Sequence, residues 1–113
     1  MRLIVTCSGI SNTGKLTTQV ATALMRSRPG AFVWVKAQKP PGEIQACAGD
    51  AEELVVIDGC SDCCATKKIR AAGVGLPCRC HVVATECGVV KNGMADVQYG
   101  EIEQVMREVA RIL

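Results

Sequence analysis

The chain has 113 residues, 49% of them hydrophobic and 21% charged, and thirteen basic against eleven acidic side chains leave a net charge of +2. One domain over residues 1–113 fits this length, with roughly 65% of the extended surface buried on folding, and the composition argues against disorder. The small charge speaks against nucleic-acid or membrane-surface partners, the three aromatics Phe32, Trp34 and Tyr99 form no base-stacking platform, and no apolar run approaches the ~20 residues of a membrane span.

Arg2 to Thr6 is a β-branched, apolar run of the kind a buried parallel strand shows. Leu16, Val20, Leu24 and Met25 then recur at helical spacing, until Arg26-Ser27-Arg28-Pro29-Gly30 stops the helix. Ala31 to Val35 reads as a second strand, Pro40-Pro41-Gly42 as a break and Glu43 to about Gly49 as a short helix. Leu54 to Ile57 is a third strand, Ala65 to Ala72 a helix ending at Gly73, and His81 to Thr85 a fourth strand. Glu101 to Leu113 closes the pattern as a helix whose Ile102, Val105, Met106, Val109 and Leu113 form one apolar stripe.

Strands alternating with helices imply an α/β fold: a small three-layer sandwich around a four-stranded, mainly parallel sheet, flavodoxin-like or Rossmann-like. An order 2-1-3-4 would suit it, though pattern alone does not fix strand order. Met1 to Val5 gives way to Cys7 too early for a secretory signal, so a cytoplasmic, reducing setting is expected. Eight cysteines, about 7% of the chain, then point to metal or thiol chemistry rather than structural bridges.

Their placement sharpens this. Cys7 follows the first strand, Cys60 the third (with Cys63 and Cys64 in the next turn), and Cys87 the fourth. In a parallel sheet these strand ends share one edge, where open α/β folds bind ligands. Cys60 and Cys64 are four apart at a helix start, where the helix dipole favours the zinc-ligating thiolate. Cys47, Cys78 and Cys80 fall at no predicted strand end on that edge and read as small core hydrophobes.

Cys7-Ser8-Gly9 with Asn12 and Gly14, Ile57-Asp58-Gly59-Cys60 with Cys64-Ala65-Thr66-Lys67-Lys68, and Val89-Val90-Lys91-Asn92 together resemble the DGC-domain proteins, small zinc-binding proteins named for an Asp-Gly-Cys motif. The resemblance implies zinc as cofactor and metal ion as partner. It also implies four chelating cysteines, three of them matched by Cys7, Cys60 and Cys64. The family's fourth lies near the end of the second strand, where this chain has Val33-Trp34-Val35-Lys36. Cys87 is then the first candidate for the vacant position, with Cys63 and Cys47 behind it. The reading is a metal-binding protein rather than an enzyme.

Three further chemistries fit parts of the chain. Gly9-Ile10-Ser11-Asn12-Thr13-Gly14-Lys15 has the glycine-lysine skeleton of a phosphate-binding loop, which makes Gly9, Asn12, Gly14 and Lys15 an alternative anion or nucleotide site. Leu16, however, stands where that loop needs a magnesium-binding hydroxyl. The Cys7 loop also resembles the phosphorylated loop of sugar-phosphotransferase B subunits. Low-molecular-weight phosphatases need an Arg six residues after the cysteine, where Thr13 stands. Cys60-Ser61-Asp62-Cys63 is a C-x-x-C that would suit a thiol-disulfide oxidoreductase pairing Cys60 with Cys63 or Cys64. His81, placed at the start of its strand and so at the opposite edge from the thiols, is expected to be structural.

Overall fold

The computed structural model describes residues 1–7 and 9–113. Four short runs form its sheet: β1 (Arg2–Thr6), β2 (Phe32–Lys36), β3 (Glu53–Asp58) and β4 (Cys78–Val83). All pairings are parallel and the order is β2-β1-β3-β4. The central strands carry Leu3, Ile4, Val5, Val55 and Ile57 at 4% exposure or less, because a parallel strand between two helical layers has no wet face. Each fully buried aliphatic side chain contributes about 1.5–3 kcal/mol.

Helices α1 (Asn12–Ser27) and α4 (Tyr99–Ile112) cover one face, burying Leu16, Val20, Val105 and Val109 against Ile4, Val55, Ile57 and Val82. Helices α2 (Pro41–Ala48) and α3 (Cys64–Ala71) cover the other, where Ile44, Ala65 and Ile69 meet Leu3, Val5, Leu54 and Val56. The Ser11 side chain caps α1 by accepting the Gly14 N–H at 3.3 Å. Gln98 and Glu101 close a reciprocal capping box at the start of α4. No described helix is long and apolar enough to cross a membrane.

The sequence reading needs correction at the fourth strand, which starts at Cys78 rather than His81 and ends at Val83. Its outer half alternates between exposed Arg79 and His81 and buried Cys80 and Val82. That is the pattern of an edge strand wetted on one face. The Leu54 N–H donates to Pro77 O at 2.8 Å and draws the chain into the sheet three residues early. A single 3₁₀ turn, Ala84–Cys87, then carries Cys87 beyond the strand end.

Candidate metal centre

The edge at which the parallel strands end assembles the site. In register, Thr6 lies beside Lys36 and Ile57, and Asp58 beside Val83. Cys7 therefore emerges next to the β3 end, its N–H held by Ile57 O at 3.2 Å. Its buried thiol accepts the Gly9 N–H at 3.4 Å, and its carbonyl accepts the Thr17 hydroxyl. Ser8, between Cys7 and Gly9 in the motif, lies outside the described residues. The β2 end offers no thiol: Trp34 donates its indole N–H to the Thr6 hydroxyl at 3.0 Å, and Lys36 lies over the Trp34 ring.

Each residue of Asp58-Gly59-Cys60 has a separate task. Asp58 is fully buried at the strand end. A Cβ on Gly59 would sit 2.9 Å from the Thr13 carbonyl carbon and oxygen, so only glycine lets the start of α1 pass this close. Cys60 opens a turn closed by Cys63 N–H to Cys60 O at 3.0 Å. Cys63 caps α3 in the left-handed conformation (φ 49, ψ 51), strained for a residue with a Cβ.

That reversal sends consecutive thiols to different neighbours. Cys64 lies near Cys7, 57 positions earlier in the chain, and near Cys60, and both act to keep its thiol protonated. Cys63 instead places its sulfur within 4.8 Å of an Asp58 carboxylate oxygen. The ends of β1 and β3 thus bring Cys7 and the Cys60–Cys64 turn to the same edge, near enough for Cys7 and Cys60 to act on the Cys64 thiol. Among the described residues, Cys7, Cys60 and Cys64 are not a group whose ligand atoms all lie within 4.8 Å of one another. The helix start does not lower the pKa of Cys63 or Cys64 as expected. Burial pushes the Cys63 thiol up, with the Asp58 carboxylate adding to it, and burial and the neighbouring Cys7 raise Cys64.

Asp58 is the hub of a second group. Its Oδ1 accepts the Ala65 N–H at 2.8 Å, and Oδ2 accepts the Thr66 hydroxyl at 2.6 Å and His81 Nε2 at 2.8 Å. Asp58, Cys63 and His81 form a group that could hold a metal ion, one potential ligand atom from each lying within 4.8 Å of the others. The placement of His81 is the main correction to the sequence reading. Because β4 starts at Cys78, His81 reaches the thiol edge instead of the opposite one. The signal for it was the alternation Arg79, Cys80, His81, Val82.

The remaining candidates lie elsewhere. Cys87 lines a cleft of about 240 Å³ with His81, Glu86, Gln104 and Glu108. Burial raises its pKa first, followed by Glu108 and Glu86. Cys47 packs against the α2/α3 core, Cys80 lies in the α1/α4 core, and Cys78 donates to Cys80 O. All eight cysteines are free thiols.

In the Gly9–Lys15 loop, the donors suited to an anion meet protein. Ser11 takes the Gly14 N–H, Asn12 gives its backbone N–H to Gly93 O, and Lys15 reaches Met94 O at 3.4 Å. The Asn12 side chain donates to Val90 O at 2.8 Å and accepts the Asn92 N–H at 2.7 Å. It thereby pins the segment whose Lys91 ammonium stands 3.6 Å from Cys60 Sγ.

Neither the curated proteins nor the solved structures contain a significant match to this chain. The family model of the DGC domain matches residues 3–109, from the start of β1 to the last turns of α4. The Asp, Gly and Cys whose separate tasks at the β3 end are given above lie within that match, and the chain belongs to the DGC domain family.

Proposed function

We propose that the protein binds a zinc-type ion through the thiolates of Cys7, Cys60 and Cys64 at the carboxyl edge of its sheet. What supports this reading is that Cys7 and the Cys60–Cys64 turn reach the same sheet edge from two strand ends far apart in sequence, near enough for Cys7 and Cys60 to raise the Cys64 thiol. A thiol raised by burial and by other thiols is an unfavourable place for a lone proton-bearing sulfur to ionise, and a favourable one for a cation shared among several sulfurs. Soft thiolates select zinc or another thiophilic metal over magnesium or calcium. Lys91, 3.6 Å from Cys60 Sγ, offsets part of the negative charge of such a centre.

Cys87, at the end of the 3₁₀ turn and lining the cleft with His81 and Glu108, is one candidate for the fourth position, and solvent is the other. The role is storage, transfer or regulation rather than catalysis, in a cytoplasmic setting.

The test is cysteine-resolved alkylation of anaerobically purified protein, with zinc bound and after chelation. Protection of Cys7, Cys60 and Cys64 that chelation removes is the expected result. Equal labelling of these three with and without chelator would overturn the reading. The nearness of Cys64 to Cys7 and Cys60 also favours a second reading, a thiol-disulfide couple. That couple would survive chelation and cost two thiols on mild oxidation.

A further inference from the structure

We infer that the carboxyl edge holds a second cation, bound by Asp58, Cys63 and His81 beside the thiolate trio; this deepens the zinc-binding reading above and rests on it. The left-handed backbone at Cys63 divides the edge into two lobes. Cys64 turns to Cys7, whereas the adjacent Cys63 turns to Asp58, and Cys60 stands close to both. One ion cannot readily gather both lobes, because the groups on either side of Cys60 already have partners of their own.

The second lobe has the chemistry of a site. Its carboxylate, imidazole and thiol are each ordinary ligands of zinc or cobalt(II). Asp58 is fully buried, with Oδ1 on the Ala65 N–H and Oδ2 shared between the Thr66 hydroxyl and His81 Nε2, and the Cys63 sulfur lies beside them. A cation takes the place of the His81 and Cys63 hydrogens without moving the heavy atoms far, since the three ligand atoms already lie within 4.8 Å. On binding, the Cys63 thiol releases its proton to solvent as the sulfur–metal bond forms. Nε2 of His81 gives the hydrogen it shares with Asp58 to solvent while Nδ1 takes one up, so the imidazole stays neutral and presents its Nε2 lone pair, and Asp58 stays anionic. Carboxylate and thiolate charges then cancel that of a divalent ion, which suits a group with no access to water.

Three protein ligands leave one position open, and the His81 side chain is 40% exposed, so that position faces solvent. Open three-ligand sites are those that exchange or activate a bound molecule. The ligand expected there is water or a small anion.

The experiment loads metal-free, reduced full-length protein with cobalt(II) and measures retained metal and the thiolate-to-cobalt absorption. Wild type is expected to retain about two ions per chain and His81→Gln about one, since the Gln amide still donates to Asp58 but does not replace imidazole as a ligand. Cys63→Ser should match His81→Gln, and circular dichroism shows that both variants are folded. Cys64→Ser should lose the other ion and keep the one at His81. One ion in wild type, unchanged in His81→Gln, would overturn the second site and leave the thiolate trio standing. Loss of all metal in His81→Gln would mean one mixed centre and overturn both. Two ions kept by Cys64→Ser would remove the trio and uphold the inference.

Discussion

Two sets of cysteines share this chain and meet opposite surroundings. Cys7, Cys60, Cys63 and Cys64 gather where strands end and turns begin, among Asp58, Lys91 and one another. Cys80, only 2% exposed, packs in the α1/α4 core among Val82, Val105 and Val109, where burial pushes its pKa to about 11. The residue type is the same in both. What differs is whether the backbone holds the sulfur beside other ligand atoms or beside methyl groups, and only the first arrangement supports metal chemistry.

The contrast can be broken most forcefully at Asp58. Asp58→Ala would strand the Ala65 N–H, the Thr66 hydroxyl and His81 around an empty space, and is expected to cost about 3–5 kcal/mol in urea unfolding. A loss below about 1 kcal/mol would mean that the edge does not depend on this carboxylate. Gly59→Ala forces a methyl against the Thr13 backbone, and a loss of about 2–3 kcal/mol is expected from the same measurement.

The core thiol sharpens the comparison through pH. Cys80 stays protonated in the folded protein up to about 11, while an unfolded thiol ionises near 9.0. Stability from this group is complete below the unfolded value and is lost as pH rises toward the folded one, by about 1.4 kcal/mol per unit over that window. Urea midpoints taken from pH 8 to 11 should show this fall in the Cys60→Ser background, and Cys80→Ala should flatten it. An unchanged slope would place the alkaline sensitivity elsewhere.

Smaller effects are expected around the loop and the exposed thiol. Asn12→Ala removes both ties to residues 90 and 92 and should cost about 1–2 kcal/mol while leaving the sheet intact. Cys64→Ser, at an exposed position, should move the metal-free unfolding midpoint by less than about 0.5 kcal/mol. A large loss there would merge the two classes of cysteine.

Parallel β1 and β3 were legible from their unbroken aliphatic runs, and the meeting of Cys7 with the Cys60–Cys64 turn follows once both strands point the same way. His81 was hidden because β4 is a half-wet edge strand whose first residues, Cys78 and Arg79, do not look apolar. Three residues separate Cys87 from the strand end, because Ala84-Thr85-Glu86 belong to a 3₁₀ turn that nothing in those residues marks. Asp58 was legible only as the first residue of the Asp-Gly-Cys motif. Its part in joining α3 to β4 required the coordinates of both.

The register of β1 on β3 and β3 on β4 also has a kinetic consequence. Residues 7, 58 to 64 and 81 become neighbours only after two crossover connections have closed, and contacts so distant along the chain form late in folding. A nascent or truncated chain lacking β4 contains every cysteine of the trio but none of the scaffold beyond β3. Ion capture during refolding should therefore lag behind helix formation, reporting on the finished sheet rather than nucleating it.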